Sequence, residues 1–141
     1  SMLRQLAFAM LDMDLHARFQ TDKDDALEDL ISKNNQKTRI IQPLPEDRTL
    51  CAFSHIFAGG YAAGYYSYKW SEVLSADAFA AFTEAGDDDA AQKDVGLRFR
   101  DTVLSLGGGT DPADVFRQFR GRDPQPDALL RQEGLLTTTS A

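Results

Sequence analysis

Apolar residues recur along this chain at spacings of three and four, and the runs are separated by Gly, Pro, Asn and Asp. This pattern predicts a succession of helices joined by turns. The first helix, over residues 3–19, contains no Gly or Pro and is apolar on nearly every side. A helix of that kind is normally enclosed by others, so we expect it to need a covering partner that is missing here.

The next part of the chain combines a short helix, a loop and a long helix. Thr21 and Asp22 can cap a helix over residues 23–33, whose first acidic residues suit the positive end of the helix dipole. Residues 34–48 contain an Asn pair and two prolines, and they are therefore predicted to form a loop. After a pair of glycines, the apolar spacing predicts one long helix over residues 61–85.

Glycine, proline and aspartate mark the ends of the later helices. A helix over residues 90–106 is expected to stop at Gly107–Gly109, because glycine adopts left-handed geometry without a β-carbon penalty. Asp111 caps the following helix, Pro112 takes its first position, and Gly121 ends it. The remaining expected features are a short helix from Pro124 or Pro126 to Gln132, a cap at Gly134 and a frayed tail, Thr137–Ala141.

The predicted fold class is all-α, because no segment shows the alternation of paired strands or the residues of a hairpin turn. A length of 141 residues fits one domain with a sizeable core, and neither a repeat nor a domain boundary is evident. The opening Ser1-Met2 resembles a cloning remnant ahead of the natural sequence. On that interpretation, the chain is a piece cut from a longer protein.

Charge and cysteine content exclude several classes of partner. The formal net charge of -7 argues against nucleic acid, since phosphate contacts need clustered Lys and Arg. A single cysteine, Cys51, excludes an intrachain disulfide and is compatible with a reducing compartment. No apolar run approaches the length of a bilayer span, so no membrane partner is expected. We therefore expect a cytoplasmic protein, or one of an organelle matrix.

Candidate chemistry is concentrated near the middle of the chain, where glycines and tyrosines follow one another. Gly59 and Gly60 allow positive φ or close backbone approach directly before a predicted helix. Tyr61, Tyr65 and Tyr68 fall at i, i+4 and i+7 of that helix, which places three phenols on one face.

The residues around the phenols are assigned to two environments. His55 stands just before the glycines, where the chain could bring it beside the phenols. Tyr66 and Trp70 point elsewhere on the helix, together with Val73 and Leu74, and we expect these four to form a core-facing seam.

An aromatic stripe at helical spacing has two interpretations, and the spacing leaves both open. Such stripes are commonly part of a core. Three phenols, however, bring three hydroxyl groups that each need a partner when buried, where Phe or Leu would suit a core better. A phenol also stays protonated at neutral pH and can donate a hydrogen bond to a developing oxyanion.

The stretch His-Ile-Phe-Ala-Gly-Gly-Tyr, residues 55–61, followed by Tyr-Tyr-Ser-Tyr-Lys-Trp-Ser-Glu-Val, residues 65–73, closely resembles one part of a known family. That part is the Gly-rich loop and following helix of the thimet oligopeptidase and oligopeptidase A family, with the bacterial oligopeptidase A branch nearer. Residues 3–8 and 14–19 resemble the helix that follows the catalytic core in that branch. Residues 116–124 are similar to its C-terminal signature, so the resemblance covers nearly the whole chain.

The resemblance implies a helical bundle fragment of a larger, mostly helical, two-domain metallopeptidase that cuts short peptides with one zinc ion. In that family the zinc is held by a His-Glu-x-x-His helix and a further Glu. The motif is absent here, and His16 is expected to be an ordinary surface or packing histidine. The resemblance thus makes residues 1–141 the C-terminal part of a catalytic region, without metal ligands and inactive alone.

The resemblance also implies roles for individual residues. Tyr68 corresponds to a tyrosine that donates a hydrogen bond to the oxygen of the tetrahedral intermediate, and Tyr61 to one that contacts the substrate. His55 corresponds to a histidine that contacts the substrate or the transition state. Tyr65 is assigned to substrate binding, with a purely structural role as the alternative. The two glycines correspond to a flexible loop that closes over the oligopeptide.

A second hypothesis is a helical protein-interaction module that uses the same scaffold without catalysis, since such a relative would also lack the metal site. A His-Glu-x-x-His motif upstream of this chain would favour the enzyme. If the chain is a piece cut from a longer protein, the first helix and the tyrosine face lose their covering partners and leave a large apolar patch exposed. We therefore expect the chain to associate with itself as a dimer.

Overall fold

A computed structural model of the chain describes residues 2–21 and 26–136. Those residues contain seven α-helices and no β-strand, which confirms the all-α prediction. They group into two compact units, Ser1–Lys69 and Trp70–Ala141. The division falls inside a helix, where no Gly or Pro linker marks it in the sequence. Three predicted features lie outside the described residues, namely the remnant Ser1, the cap Asp22 with the acidic residues after it, and the tail Thr137–Ala141.

The first unit is built from two long helices, a 3₁₀ turn, a four-residue helix and the start of a third long helix. Its elements are α1, Met2–Ala17; α2, Ala26–Thr38; a 3₁₀ turn, Thr49–Ala52; α3, Ser54–Phe57; and the first residues of α4, Ser67–Glu84. Small and aromatic side chains form its core, which consists of Ala9, Phe53, Ile56 and Tyr65 with Phe8, Leu15 and Leu50 packed against them.

One side of α1 is covered and another is not. Ala7 and Ala9 are buried, and both face the rest of the first unit. The opposite apolar side chains are largely exposed, as expected for a helix that lacks a covering partner; they are Leu3, Leu6, Met10 and Met13. Among the described residues, no helix combines the length and the apolar character needed to cross a bilayer.

The loop predicted for residues 34–48 is wrong in its first part, because α2 continues to Thr38. Asn34 is buried, and its side-chain amide donates a hydrogen bond to the backbone carbonyl oxygen of Ala7 at 2.8 Å. That contact joins α2 to α1 and satisfies a polar group inside the unit. Local sequence signals favoured a break here, and a partner 27 residues away overrides them.

The second unit contains the rest of α4 and three further helices. Its elements are α5, Asp89–Phe99; a π-helical turn, Arg100–Leu104; a 3₁₀ turn, Gly107–Gly109; α6, Pro112–Arg120; and α7, Asp127–Gln132. The helix predicted over residues 90–106 and its stop at three glycines are confirmed. The core of this unit consists of Ala81, Val95 and Phe119, with Ala78, Phe82, Ala85, Phe99 and Val103 packed against it.

Short-range signals in this unit act as predicted. The Asp111 carboxylate accepts a first-turn backbone N–H of α6 at 2.8 Å, Pro112 is the first residue of α6, and Gly121 ends it with a φ of +73°. The start of α5 has a cap of the same kind, because the Asp88 carboxylate accepts the N–H of Ala90 at 2.9 Å.

A buried carboxylate joins distant parts of the second unit. Asp77, 1% exposed, accepts hydrogen bonds from the Arg122 guanidinium at 2.6 and 2.7 Å and from the backbone N–H of Gln125 at 2.8 Å. Arg120 donates to it at 3.2 Å and donates two further bonds to Glu84, both at 2.8 Å. Asp77 therefore links α4 to α6 and to the segment that precedes α7.

The surroundings of these carboxylates favour their charged forms. Burial raises the pKa of Asp77, but the hydrogen bonds from Arg122 and from the backbone of Gln125 outweigh burial and hold its pKa below the ordinary value. Hydrogen bonds from Arg120 lower the pKa of Glu84.

The core-facing seam predicted on α4 is present only in its later part. Val73 is buried, whereas Tyr66 is 54% and Trp70 is 49% exposed, so their assignment to the core is wrong. Trp70 does share a helix face with Asp77, which is buried two turns further along. The spacing gives the direction of a side chain correctly, but it does not show whether anything in the chain covers it.

Candidate functional site

Glycine is needed at both positions of the candidate loop, but for different structural reasons. A β-carbon at Gly59 would come within 2.9 Å of both the Cα and the carbonyl oxygen of His55, which is closer than side chains tolerate. Gly60 has a φ of +80°, in the left-handed region that favours glycine. The N–H of Tyr61 then donates to the carbonyl oxygen of His55 at 3.1 Å. The glycines therefore fold the chain back onto α3.

Residues 62–66 form turns, and this corrects the predicted helix start, because α4 begins at Ser67. Ala63 has a φ of +53°, a left-handed conformation that is uncommon for a residue with a β-carbon. The Asp12 carboxylate accepts the backbone N–H groups of Ala63 and Tyr65, each at 2.9 Å. These two donors are thus satisfied by a side chain of α1 rather than by helical hydrogen bonds.

The turn brings four rings together. The ring centres of Tyr61 and Tyr68 are 5.0 Å apart, and those of Tyr65 and Tyr68 are 5.1 Å apart. The His55 ring lies 5.9–6.4 Å from all three phenol rings. The structure therefore groups His55 with the tyrosines, although Tyr61 and Tyr65 reach this position from a turn and not from a helix face.

The three phenols differ in exposure. Tyr61 is 37% and Tyr68 is 38% exposed, so both can be reached from outside the first unit. Tyr65 is 7% exposed, its ring packs edge-on against Phe53, and its hydroxyl donates to the side-chain oxygen of Gln5 at 3.1 Å. Two phenols are thus presented at a surface, and the third supports them from the core.

The environment of Tyr68 keeps its hydroxyl in the donor form. Hydrogen bonding with the Tyr61 phenol raises the pKa of Tyr68, and partial burial raises it further. A tyrosine titrates near pH 10 in the absence of such effects. Tyr68 therefore stays protonated throughout the physiological pH range, and its hydroxyl can donate a hydrogen bond to an anionic oxygen.

Asp12 was not identified from the sequence, although it holds the turn that carries the phenols. It is fully buried, and the Nδ1 atom of His16 lies 2.8 Å from its carboxylate and 2.9 Å from its backbone oxygen. A signal was available: Asp12 lies four residues after Phe8 and three before Leu15, so a carboxylate occupies the core face of a helix. A charge at such a position requires a specific partner.

The main cavity described in the first unit lies away from the rings. It has a volume of about 740 Å³ and is lined by α1, α2 and the segment before α3, including Phe8, Ile31 and Leu50. His55, Tyr61 and Tyr68 are not part of its lining. The rings of the candidate site therefore lie outside this cavity.

Within residues 2–21 and 26–136, no group of three or more His, Cys, Asp or Glu side chains is placed to hold a metal ion. The side chains at the site are phenols and one imidazole, which suit hydrogen bonding. The described residues therefore do not fit a zinc ion.

Comparison with known proteins identifies the family. Residues 1–135 match the profile described as peptidase family M3. The chain belongs to peptidase family M3. It is 57% identical over 140 residues, 99% of its length, to the organellar (chloroplastic/mitochondrial) oligopeptidase A of Arabidopsis thaliana. It is also 57% identical over 139 residues to a probable cytosolic oligopeptidase A of the same plant, and 45% identical over 134 residues to oligopeptidase A of Haemophilus influenzae.

The M3 chain described here spans about a fifth of the length of these relatives, since the matches cover 18%, 20% and 19% of them, respectively. On the other side, the matches cover 98% and 95% of this chain for the cytosolic plant protein and the Haemophilus protein. The similarity thus extends through both units of the chain.

Proposed function

We propose that this chain is the substrate-side, C-terminal part of the catalytic region of an M3 oligopeptidase, an endopeptidase that acts on short peptides. The observation that carries the proposal is the exposed pair of phenols, Tyr61 and Tyr68, held beside His55 at a Gly-Gly loop. Hydrogen-bond donors fixed at a surface suit the recognition of a peptide backbone and of the charge that develops when it is cleaved.

In this proposal Tyr68 is the oxyanion donor. Attack on a peptide carbonyl places negative charge on its oxygen, and a donor already aimed at that position stabilises the transition state more than the substrate. The raised pKa of Tyr68 supports the role, because the phenol remains protonated at the pH of reaction. Its ring is fixed by contacts with the rings of Tyr61 and Tyr65, so little reorganisation is needed.

The neighbouring residues have supporting roles. Tyr61 contacts the peptide next to the scissile bond, and His55 contacts the substrate or the transition state. Gly59 and Gly60 form the loop that lies over the peptide. Of the two roles considered for Tyr65, its burial and its hydrogen bond to Gln5 favour the structural one.

The zinc expected for the parent protein is assigned to residues outside this chain, because the described residues do not offer a ligand set. We expect the chain alone to hold no stoichiometric zinc and to cleave no peptide. Zinc-dependent cleavage by a clean preparation, abolished by Tyr68→Phe, would contradict this.

The main test uses the full-length parent protein with Tyr68→Phe, which removes one hydroxyl and keeps the ring. We expect kcat for an oligopeptide to fall by about 10²–10³-fold, the usual effect of deleting one oxyanion donor. KM should change little, since the bond is made mainly in the transition state. Tyr66→Phe is the matched control, because Tyr66 is a more exposed phenol on the same segment.

The result decides between the roles of Tyr68. A Tyr68→Phe protein that turns over at the normal rate would remove the oxyanion role, and an equal loss in both variants would point to a general effect on folding. Tyr61→Phe should instead raise KM more than it lowers kcat, because the proposed contact is with bound peptide.

We further propose that the chain dimerises in isolation through the exposed apolar side of α1. Leu3 is 49% and Met13 is 40% exposed on a helix that is otherwise packed, and apolar surface of this kind favours association. Light scattering over a range of concentrations should show a dimer. A monodisperse monomer at high concentration would contradict the proposal.

The relatives are named as organellar and cytosolic proteins, and we propose that the parent acts in the cytoplasm or in an organelle matrix. An exposed, unpaired Cys51 is compatible with a reducing compartment. Fractionation of cells that carry the tagged parent protein would test this, and recovery from an oxidising compartment would contradict it.

A further inference from the structure

The side chain of Asp12 contacts the backbone of the turn that carries the phenols. One carboxylate oxygen accepts the N–H of Ala63 and the other accepts the N–H of Tyr65, both at 2.9 Å. The carboxylate is 0% exposed, so these charge-assisted hydrogen bonds are shielded from water. Both oxygens are therefore directed at one short turn that lies 51 and 53 residues further along the chain.

The turn needs this support because its backbone conformation is unfavourable. Ala63 has a φ of +53°, which a residue with a β-carbon adopts rarely. Such a conformation persists where the surroundings hold it, and these places are often functional sites. Asp12 accepts the N–H of Ala63 itself, so the carboxylate acts at the residue whose conformation is least favourable.

A continuous set of contacts leads from the turn to the proposed oxyanion donor. The backbone of Tyr65 is fixed by Asp12, and its ring is held against Phe53 in the core. The Tyr65 ring packs on the Tyr68 ring at 5.1 Å, and the Tyr68 N–H donates to the Tyr65 carbonyl oxygen at 3.3 Å. A shift of the turn would therefore move the ring and the backbone of Tyr68 together.

Asp12 also has a partner on its own helix. The Nδ1 atom of His16, one helical turn later on α1, lies 2.8 Å from the Asp12 carboxylate. The His16 ring lies 6.3 Å from the ring of Phe57 in α3, the helix that also carries His55. His16 thus contacts the carboxylate and lies near α3, the element that meets the turn at the candidate site.

We infer that Asp12 is a positioning residue of the site: by accepting the N–H groups of Ala63 and Tyr65, it fixes the turn that places Tyr68. This inference rests on the role proposed for Tyr68. Asp12 touches no substrate, and it acts through the geometry of the phenols. His16 assists by holding the carboxylate in that orientation.

The test compares Asp12→Asn with Asp14→Asn. Asp14 is the matched control, because it also lies on α1 and also pairs with the side chain four residues later, Arg18, but it is partly exposed. Asn at position 12 has one acceptor oxygen in place of two, so one hydrogen bond to the turn is lost with little change in volume. In the full-length parent protein, kcat should fall by about 10–10²-fold, as expected for a small misplacement of a catalytic group, while KM changes less.

The coupling between positions 12 and 68 separates positioning from a general structural effect. If Asp12 acts through Tyr68, Asp12→Asn should cost little further activity in a Tyr68→Phe background, because the donor is already absent. A full, additive loss in that background would overturn the inference. Normal kcat for Asp12→Asn, where Tyr68→Phe alone is impaired, would also overturn it and would leave the proposed function standing.

A second readout does not depend on activity or on the proposed function. Amide hydrogen exchange in this chain should be faster at Ala63 and Tyr65 in Asp12→Asn, by about tenfold or more, than in Asp14→Asn or the unchanged protein. The N–H of Asn34, inside α2, serves as an internal reference for global stability. Unchanged exchange at the two turn residues would overturn the inference, whatever the kinetics of Tyr68→Phe.

Discussion

Asp12 in the first unit and Asp77 in the second are both buried carboxylates, and each accepts hydrogen bonds from residues more than 40 positions away. Asp12 accepts two backbone N–H groups of one turn and contacts a single imidazole. Asp77 accepts from two guanidinium groups and one backbone N–H. The first arrangement fixes the conformation of a turn, whereas the second joins helices through charge.

The difference concerns what each carboxylate controls. The rings of the candidate site lie around Asp12. A substitution of Asp12 is therefore expected to alter the geometry of the site and, with it, catalysis. Asp77 lies beside Arg120, whose side chain is 5% exposed and also pairs with Glu84. A substitution of Asp77 is therefore expected to lower the stability of the second unit. Burial alone does not separate a positioning carboxylate from a stabilising one. The identity of its partners does.

The largest expected effect on stability is that of Asp77→Asn. It removes one charge from a buried ion pair and leaves Arg120 less compensated, which typically costs about 3–5 kcal/mol. Urea unfolding, followed by amide exchange at Gln125, measures the loss in the second unit. Asp114→Asn is the control, since this solvent-exposed pair with Arg117 should contribute little to stability.

The distinction between the two carboxylates would be contradicted if Asp77→Asn accelerated amide exchange at Ala63 and Tyr65 as much as Asp12→Asn does. In that case both carboxylates would act on one cooperative structure. We expect the two turn amides to remain protected, because their acceptor is Asp12.

A smaller effect is expected for Gly59→Ala in the first unit. Its new β-carbon would meet the backbone of His55 at 2.9 Å, and relief of such overpacking typically costs about 1–3 kcal/mol. Gly64→Ala is the control, because its β-carbon would lie 3.5 Å from its nearest neighbour, the Tyr61 carbonyl oxygen, in ordinary contact. Chemical unfolding measures both variants. Equal stability of the two would show that the loop adjusts freely around His55.

The smallest expected effect is a loss of stability of the second unit at acidic pH. The pKa values of Asp77 and Glu84 are lower in the folded chain than their ordinary values. Folding therefore favours their charged forms, and this contribution is complete above the unfolded pKa values, about 4. It is lost as the pH falls through that range toward the folded values.

Unfolding experiments between pH 7 and pH 3 test this dependence. Stability of the second unit should be nearly constant down to about pH 5 and should then decline. Asp77→Asn should flatten the decline, because it removes one of the two titrating groups. A decline of the same steepness in that variant would assign the effect to other carboxylates.

Features set by neighbouring residues could be predicted from the sequence, and features set by distant ones could not. The ends of α6 follow from Asp111, Pro112 and Gly121, which act within a few positions of one another. The extension of α2 depends on Asn34 reaching Ala7, a contact that leaves no local pattern. The exposure of Trp70 depends on whether another element covers it, and periodicity does not report that.

The candidate site shows the same division. His55, Tyr61 and Tyr68 could be selected from the sequence, and the structure does bring their rings together. The route was different from the prediction, because Ala63 adopts a left-handed conformation and interrupts the helix. That interruption depends on Asp12, which no motif marks. A carboxylate on the core face of an apolar helix was the available sign, and its partner could be found only in three dimensions.

The hydrogen bond from Ala63 to Asp12 has a consequence for the order in which the chain folds. It spans 51 residues, so the intervening loop must close before the bond can form. The contact between Asn34 and Ala7 spans only 27 residues, and contacts between nearby residues form earlier than those between distant ones. During synthesis, α1 can therefore pack against α2 first, while Asp12 gains its two backbone donors only after residue 65 has emerged. The geometry of the phenols is then among the last features that the first unit acquires.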